Sequence, residues 1–339
     1  MSASYSSAGI NLDQMDILKD TFKAFANLTK TTNVINNSGS FAGLYKLPQF
    51  KNPVLVAGTD GVGTKLKIAA AMGHYESLGK DLVILNSNDI VCKGAHPLFF
   101  LNYIAFSQFN QHMLESLMKG MVWACKTLGC SLISGETANM PGVYDDNEFD
   151  LAGFIVGAAE EKNLILAEDI NPGDLVYALT SNGIHTNGYS LVRQVFNLDK
   201  NPSALFHNID DLKHTLGEEL LKPHRDYYHV LKDAFNHIKG LSHITGGGMP
   251  GKIKSILPEG LKVTIDKKSW SVPPIFQIIQ KEGLIADTEM FNVFNMGIGM
   301  VIIVDPDAEN SLRIQIPEAL KIGQVSELDN QSAPLVQFE

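Results

Sequence analysis

The chain repeatedly runs a short apolar segment straight into a glycine-rich polar one, and this pairing constrains its fold more than any other feature. Val54–Ala57 enters Gly58-Thr59-Asp60-Gly61-Val62-Gly63-Thr64-Lys65, Ser131–Ile133 enters Ser134-Gly135-Glu136, and Leu175–Thr180 enters Ser181–Gly188. A short apolar run closed by turn residues reads as a buried strand. Ligand sites gather where strands end in such loops. Leu82–Leu85 reads as another strand, ending in Asn86-Ser87-Asn88-Asp89, and Phe99–Ala105, Leu151–Gly157, Leu261–Ile265 and Met300–Val304 read as further ones. Helical stripes lie between them. Leu12, Met15, Leu18, Phe22 and Phe25 recur at three- and four-residue spacing across 11–30, with Asn11 as N-cap, and Leu114, Leu117, Met121, Cys125 and Leu128 do the same. Leu66–Met72, Tyr189–Phe196, Pro274–Gln280 and a longer zone within 216–238 also read as helix.

Strands and helices mix on both sides of Asn171-Pro172-Gly173-Asp174, a strong turn signal. The expectation is an α+β chain of two mixed α/β domains, 1–170 built as a sheet plus helices and 171–339 as an α/β sandwich-like domain. A length of 339 residues suits two domains, and 45% hydrophobic against 19% charged residues suits buried cores. The net charge of −10 argues against nucleic-acid binding, which needs a basic stripe. It leaves room for a phosphorylated small molecule, because a pocket can be locally cationic inside an acidic protein. No run approaches a membrane span, and Met1–Gln14 lacks the basic region and apolar core of a secretory signal. Cys92, Cys125 and Cys130 are odd in number and form no metal-type pair, which points to a reducing, cytoplasmic compartment.

Gly58–Lys65 has the glycine spacing of a phosphate-binding P-loop, but Thr64 precedes Lys65 where the order should be reversed, so a Walker-type site is excluded. The chemistry is still informative. Glycines allow close backbone approach to a ligand, Asp60 offers an oxygen to a hard cation, and Lys65 offers a point charge to phosphate. A tight turn carrying a surface acid and base explains the same residues. Asp60, Asp89 and Glu136 each follow an expected strand and converge if those strands are neighbours. His185 and Asn187 lie in a loop feeding a helix, and Thr245-Gly246-Gly247-Gly248 opens another, where backbone N–H groups favour anions. Phe294–Gly299 reads as a glycine-bent strand. His96, His112, His207, His214, His224, His229 and His237 show no ligand spacing.

Taken in order, Tyr5–Ile10, Gly58–Lys65, Asn88-Asp89, Gly94–Phe100, Gly135–Ala138, Met140-Pro141-Gly142, His185–Arg193 and His243–Gly248 resemble the phosphoribosylformylglycinamidine cyclo-ligases over most of the chain. Gly58–Lys65 alone marks a wider ATP-using superfamily; the Met-Pro-Gly segment and His185–Arg193 narrow it. The resemblance implies ATP-dependent closure of formylglycinamidine ribonucleotide to aminoimidazole ribonucleotide. It implies ATP and Mg2+, with Asp60, Asp89 and Glu136 as metal ligands. Gly58, Thr59, Asp60, Gly61, Gly63, Thr64, Lys65, Asn88, Asp89, Gly135 and Glu136 would hold the nucleotide, and Thr245, Gly246, Gly247 and Gly248 a phosphate. His185, Asn187 and Lys65 would be catalytic, and the first domain would carry both ATP and the dimer contact, making a homodimer. Ser6 and Asn102 stand where this family usually has lysine and aspartate, so Asn102 is given no metal role. Two other readings are an enzyme of the superfamily acting on a different phosphorylated amide or acid, and a silent nucleotide-binding paralogue.

Overall fold

The structure, a computed structural model, describes residues 12–35, 42–47, 50–330 and 333–339. The expectations for Tyr5–Ile10, Ser6 among them, and for the Asn11 cap lie outside the described residues. Packing divides the chain into two units: residues up to Ile90 with His96–Glu160, and Val91–Ala95 with Glu161–Glu339.

The first unit runs α1 (Leu12–Asn27), β1 (Val34–Ile35), β2 (Leu44–Tyr45), β3 (Pro53–Gly61), α2 (Lys65–Met72), α3 (Glu76–Val91), β4 (His96–Phe106), α4 (Gln111–Leu128), β5 (Ser131–Asn139) and β6 (Phe149–Glu160). Its main sheet has the order β3-β6-β4-β5. Only β4–β5 is parallel, and a parallel pair needs a crossover, which α4 supplies. The Asn110 side chain caps α4 by accepting from Met113 N at 3.0 Å, and Gly129 ends it in the left-handed conformation. The stripe from Leu114 to Leu128 is buried, as its spacing predicts.

The strand expected at Leu82–Leu85 does not form; these residues belong to α3. All four are at most 1% exposed. A helical stretch buried on every side shows no amphipathic period, so a four-residue apolar window of it cannot be told from a buried strand. Two glycines let α3 pack this deeply. A Cβ on Gly79 would lie 2.1 Å from Leu117 O, and one on Gly120 2.0 Å from Glu76 O, so the α3 and α4 backbones touch.

Residues paired across a sheet share a face. Asp60, Gly153, Asn102 and Gly135 form one such row. That row looks toward α3, because a Cβ on Gly153 would meet Asn86 Nδ2 at 2.6 Å. The next row, Gly61, Ala152, Tyr103 and Glu136, looks away from α3. On that second face Leu55 and Phe154 are 61% and 43% exposed.

The second unit contains β7 (Leu175–Thr180), α5 (Tyr189–Val195), β8 (Asn208–Ile209), β9 (His214–Thr215), α6 (Leu216–Leu220), α7 (Tyr228–Leu231), β10 (Ile238–His243), α8 (Gly248–Lys254), β11 (Leu261–Ile265), α9 (Pro274–Gly283), α10 (Asp287–Val293), β12 (Ile298–Val304), α11 (Glu309–Gln315), β13 (Leu320–Glu327) and β14 (Val336–Phe338). Its sheet has the order β10-β12-β7-β13-β11-β14. Every residue of β12 is buried, as expected for a strand covered on both faces. The long helical zone expected at 216–238 breaks into α6 and α7 around Pro223, which lacks an N–H to continue a helix. Arg225 Nη1 and Tyr227 Oη both donate to Thr180 O, at 3.1 and 2.9 Å, and tie the intervening segment to the end of β7. Both units therefore mix helix and strand, the α+β architecture expected. No helix among the described residues is long and apolar enough to cross a membrane.

Candidate functional site

In the first unit the glycine-rich segment Gly58–Gly61 is not a loop but the last part of β3, held by its ladder to β6. Asp60 is exposed, and its Oδ1 accepts from Gly61 N at 2.7 Å. The α3 helix lies along this strand end. Asn86 Nδ2 donates to Asp60 O at 3.2 Å, and a Cβ on Gly58 would sit 3.6 Å from Ile90 Cγ2. Asp89 lies between those two helix positions and is half-buried, so it projects from the part of α3 that flanks Asp60. Asn88 is fully buried in the same turn.

Glu136 is placed differently. It lies inside β5, exposed, with Oε1 accepting from Thr137 N at 2.9 Å. It shares a row with Gly61 rather than Asp60, and β3 and β5 are the two edges of the sheet. Three strand spacings, about 14 Å, separate those edges. Asp60 thus comes from the end of β3, Asp89 from the helix beside it, and Glu136 from the other face of the sheet, which corrects the expectation that all three follow neighbouring strand ends. Asn102 lies in the Asp60 row, and a Cβ on Gly135 would come 2.4 Å from its Oδ1, so the side chain requires glycine beside it. A cavity of about 550 Å³ next to it is lined by Asn102, Glu136 and three lysines, Lys19, Lys23 and Lys30. Sequence reasoning gave these lysines no role; their one signal is that Lys19 and Lys23 sit one turn apart on α1.

Lys65 opens α2 and turns inward. Its Nζ lies 2.6 Å from Asp81 Oδ2, with both side chains fully buried. Burial pulls the ammonium below its ordinary pKa, and the Asp81 charge and hydrogen bond pull it back up. The structure commits this charge to Asp81, where the sequence suggested a phosphate contact.

In the second unit the expected groups come together. The Ser181–Gly188 loop is fastened by Asn295, whose Nδ2 donates to Gly183 O at 2.9 Å and to Ile184 O at 3.2 Å, while its Oδ1 accepts from Gly297 N at 2.8 Å. Phe294–Gly299 is therefore a turn that buttresses the loop as well as a way into β12. His185 is 1% exposed and takes a φ of 66°, in the left-handed region a histidine rarely enters. Its Nε2 accepts from Asn182 N at 3.3 Å. A Cβ on Gly246 would touch Asn187 Oδ1 at 3.2 Å, so the Asn187 side chain reaches the Thr245–Gly248 loop. Gly248 has a φ of 59°, and a Cβ there would lie 1.9 Å from Phe291 O, which leaves glycine as the residue that fits.

His224 was missed. Its ring stacks on His185 with centroids 4.2 Å apart, and His243 meets it edge-on with centroids 5.7 Å apart. No local spacing could have signalled this, because the three residues come from segments far apart in sequence.

Known proteins resemble this chain along nearly its whole length. Residues 39–159 match the profile of the AIR synthase related protein, N-terminal domain, and residues 171–334 that of the C-terminal domain. A phosphoribosylformylglycinamidine cyclo-ligase from Caldicellulosiruptor bescii is 45% identical over 314 residues, 91% of this chain and 92% of that one. One from Paraburkholderia phymatum is 44% identical over 340 residues, 98% of this chain and 95% of that one. Among solved structures, thiamine-monophosphate kinase from Stenotrophomonas maltophilia superposes with a TM-score of 0.69 at 13% identity, covering 95% of each chain. The hydrogenase maturation protein HypE in complex with ATP superposes with a TM-score of 0.66 at 16% identity, covering 93% of this chain and 88% of that one. At such identities the structural likeness speaks for the fold alone.

Proposed function

This chain belongs to the phosphoribosylformylglycinamidine cyclo-ligase family, and from that premise we propose which of its groups carry the reaction. Its activity is the ATP-dependent ring closure of formylglycinamidine ribonucleotide to aminoimidazole ribonucleotide, a step of purine biosynthesis. The observation that carries this is identity of 44–45% spread over more than nine-tenths of both chains, in both domains at once.

The chemistry explains the need for ATP. An amide oxygen is a poor leaving group. Transfer of the γ-phosphoryl group onto the formyl oxygen makes an iminophosphate, and the amidine nitrogen that carries the ribosyl group then attacks the formyl carbon. The oxygen departs with phosphate as the five-membered ring closes. The protein has to hold nucleophile and electrophile together and offset phosphate charge.

Asp60 and Asp89 are the proposed ligands of Mg2+. They are hard oxygen donors from adjacent elements, one exposed and one half-buried, and so leave coordination positions for phosphate oxygens and water. The ion, when bound, neutralises charge on the nucleotide phosphates. Glu136 is proposed to act from the sheet face turned away from α3. His185 and Asn187 are the proposed substrate-side groups. His185 would hold or move the proton released on ring closure, and Asn187 would orient the substrate together with the Thr245–Gly248 backbone, whose N–H groups suit a phosphate.

A homodimer is proposed through the face bearing Leu55 and Phe154, whose exposure is what a pairing sheet would cover. Sedimentation equilibrium should return twice the 37.0 kDa chain mass, and Leu55→Glu should shift it toward the monomer. A wild-type monomer at assay concentration removes the dimer.

The activity itself is tested with purified protein, Mg-ATP and formylglycinamidine ribonucleotide. ADP and aminoimidazole ribonucleotide should appear in equal amounts. ADP formed only with another acceptor would point to a different substrate.

A further inference from the structure

We propose that His185, His224 and His243 form a binding site for a transition-metal dication of the zinc class. Each offers one ring nitrogen, and these atoms all lie within 4.8 Å of one another. The three side chains are 1%, 4% and 5% exposed. They come together from three separate segments of the second unit: the loop after β7, the stretch between α6 and α7, and the last residue of β10. Convergence of buried imidazoles from distant segments is the donor set that Zn2+, Co2+ and Ni2+ prefer, whereas Mg2+ takes oxygens.

Two further features suit coordination. Thr186 Oγ1 lies 2.9 Å from His224 Nε2. That contact can hold the Nε2–H tautomer and leave Nδ1 as the ligand atom, the outer-shell arrangement usual for metal-bound histidine. Gly299 supplies space: a Cβ there would stand 2.9 Å from His185 Cε1 and 1.8 Å from Tyr227 Oη.

Binding requires the rings to rearrange. Four-coordinate zinc with bonds of about 2.0–2.1 Å sets its nitrogens roughly 3.3 Å apart. The His185–His224 stack, with planes 28° apart, must open so that both in-plane lone pairs meet. χ2, a broad torsion for histidine, is the rotation through which the His185 ring would open the stack while Thr186 keeps its contact with His224. Three protein ligands then leave a fourth position for water or another small ligand. The inference draws on these histidines alone and does not depend on the proposed reaction, although an ion here would occupy a nitrogen of His185.

The test is metal binding to the full-length, metal-stripped protein, with no turnover measured. Zn2+ should bind at one equivalent per chain and resist excess Mg2+, and Co2+ should show the visible absorption of a four-coordinate site. His224→Gln and His243→Gln should each weaken binding by more than the roughly 10–100-fold typical of losing an outer-shell partner. X-ray absorption on the zinc-loaded wild type gives an answer even if a variant misfolds, and should report three imidazole nitrogens. Substoichiometric binding, an all-oxygen shell, or affinity unchanged in both variants overturns the proposal.

Discussion

Asp60→Asn is expected to lower kcat by about 100-fold or more, the scale seen when one preorganised electrostatic contact to a developing charge is removed. The substitution exchanges a charged ligand for a neutral amide of the same shape. It should leave the fold intact, for a structural reason. Asp60 is exposed, and the hydrogen bond that its Oδ1 accepts from Gly61 N can be kept by the asparagine oxygen. Its main-chain oxygen still receives Asn86 Nδ2. The thermal midpoint should therefore stay close to wild type, as for most surface substitutions. Steady-state kinetics beside a melting curve checks both halves, and near-normal kcat would remove Asp60 from the metal site.

Lys65→Met should act in the opposite way, on stability first. The ammonium and the Asp81 carboxylate are both fully buried and 2.6 Å apart. Removing one partner strands a charge in a medium that solvates it poorly, at a cost of about 3–5 kcal/mol. Removing both should restore much of the loss, since an apolar pair of similar volume is often as stable as a buried ion pair. Urea unfolding of Lys65→Met and of Lys65→Met/Asp81→Leu tests the contrast. In the double variant KM for ATP should stay near wild type. A large rise in that KM, with stability recovered, would put the Lys65 ammonium back on phosphate.

Much of the fold was legible because periodicity reports one-sided burial. α4 buries a full stripe and α1 buries Leu18 with Phe22 and Phe25 half-buried, and the spacing of these residues shows it. α3 buries Leu82–Leu85 completely against a sheet and a neighbouring helix, and so loses the period that would identify it. The opposite difficulty arose at Gly58–Gly61 and Ser134–Asn139. Their polar, glycine-rich composition suggests loops, but ladder hydrogen bonds to β6 and β4 carry the strands through them.

That difference bears directly on the site. With Asp60 and Glu136 inside strands, register decides which face each side chain takes, and register cannot be read from either segment alone. The second unit was clearer because the Ser181–Gly188 and His243–Gly248 segments are both loops, or open into loops, at the ends of strands. Even there His224 and Asn295 were silent. Each acts through contacts to residues remote in sequence, one stacking on His185 and the other binding Gly183 and Ile184 carbonyls.

The claim that ring closure proceeds through phosphorylation of the amide oxygen is tested most directly by isotope. Formylglycinamidine ribonucleotide labelled with oxygen-18 in the formyl carbonyl is converted in a single turnover with Mg-ATP, and the products are analysed by mass spectrometry. The label is expected in inorganic phosphate, one atom for each ring closed. Label recovered in water, with unlabelled phosphate, would mean that ATP is split without activating that oxygen.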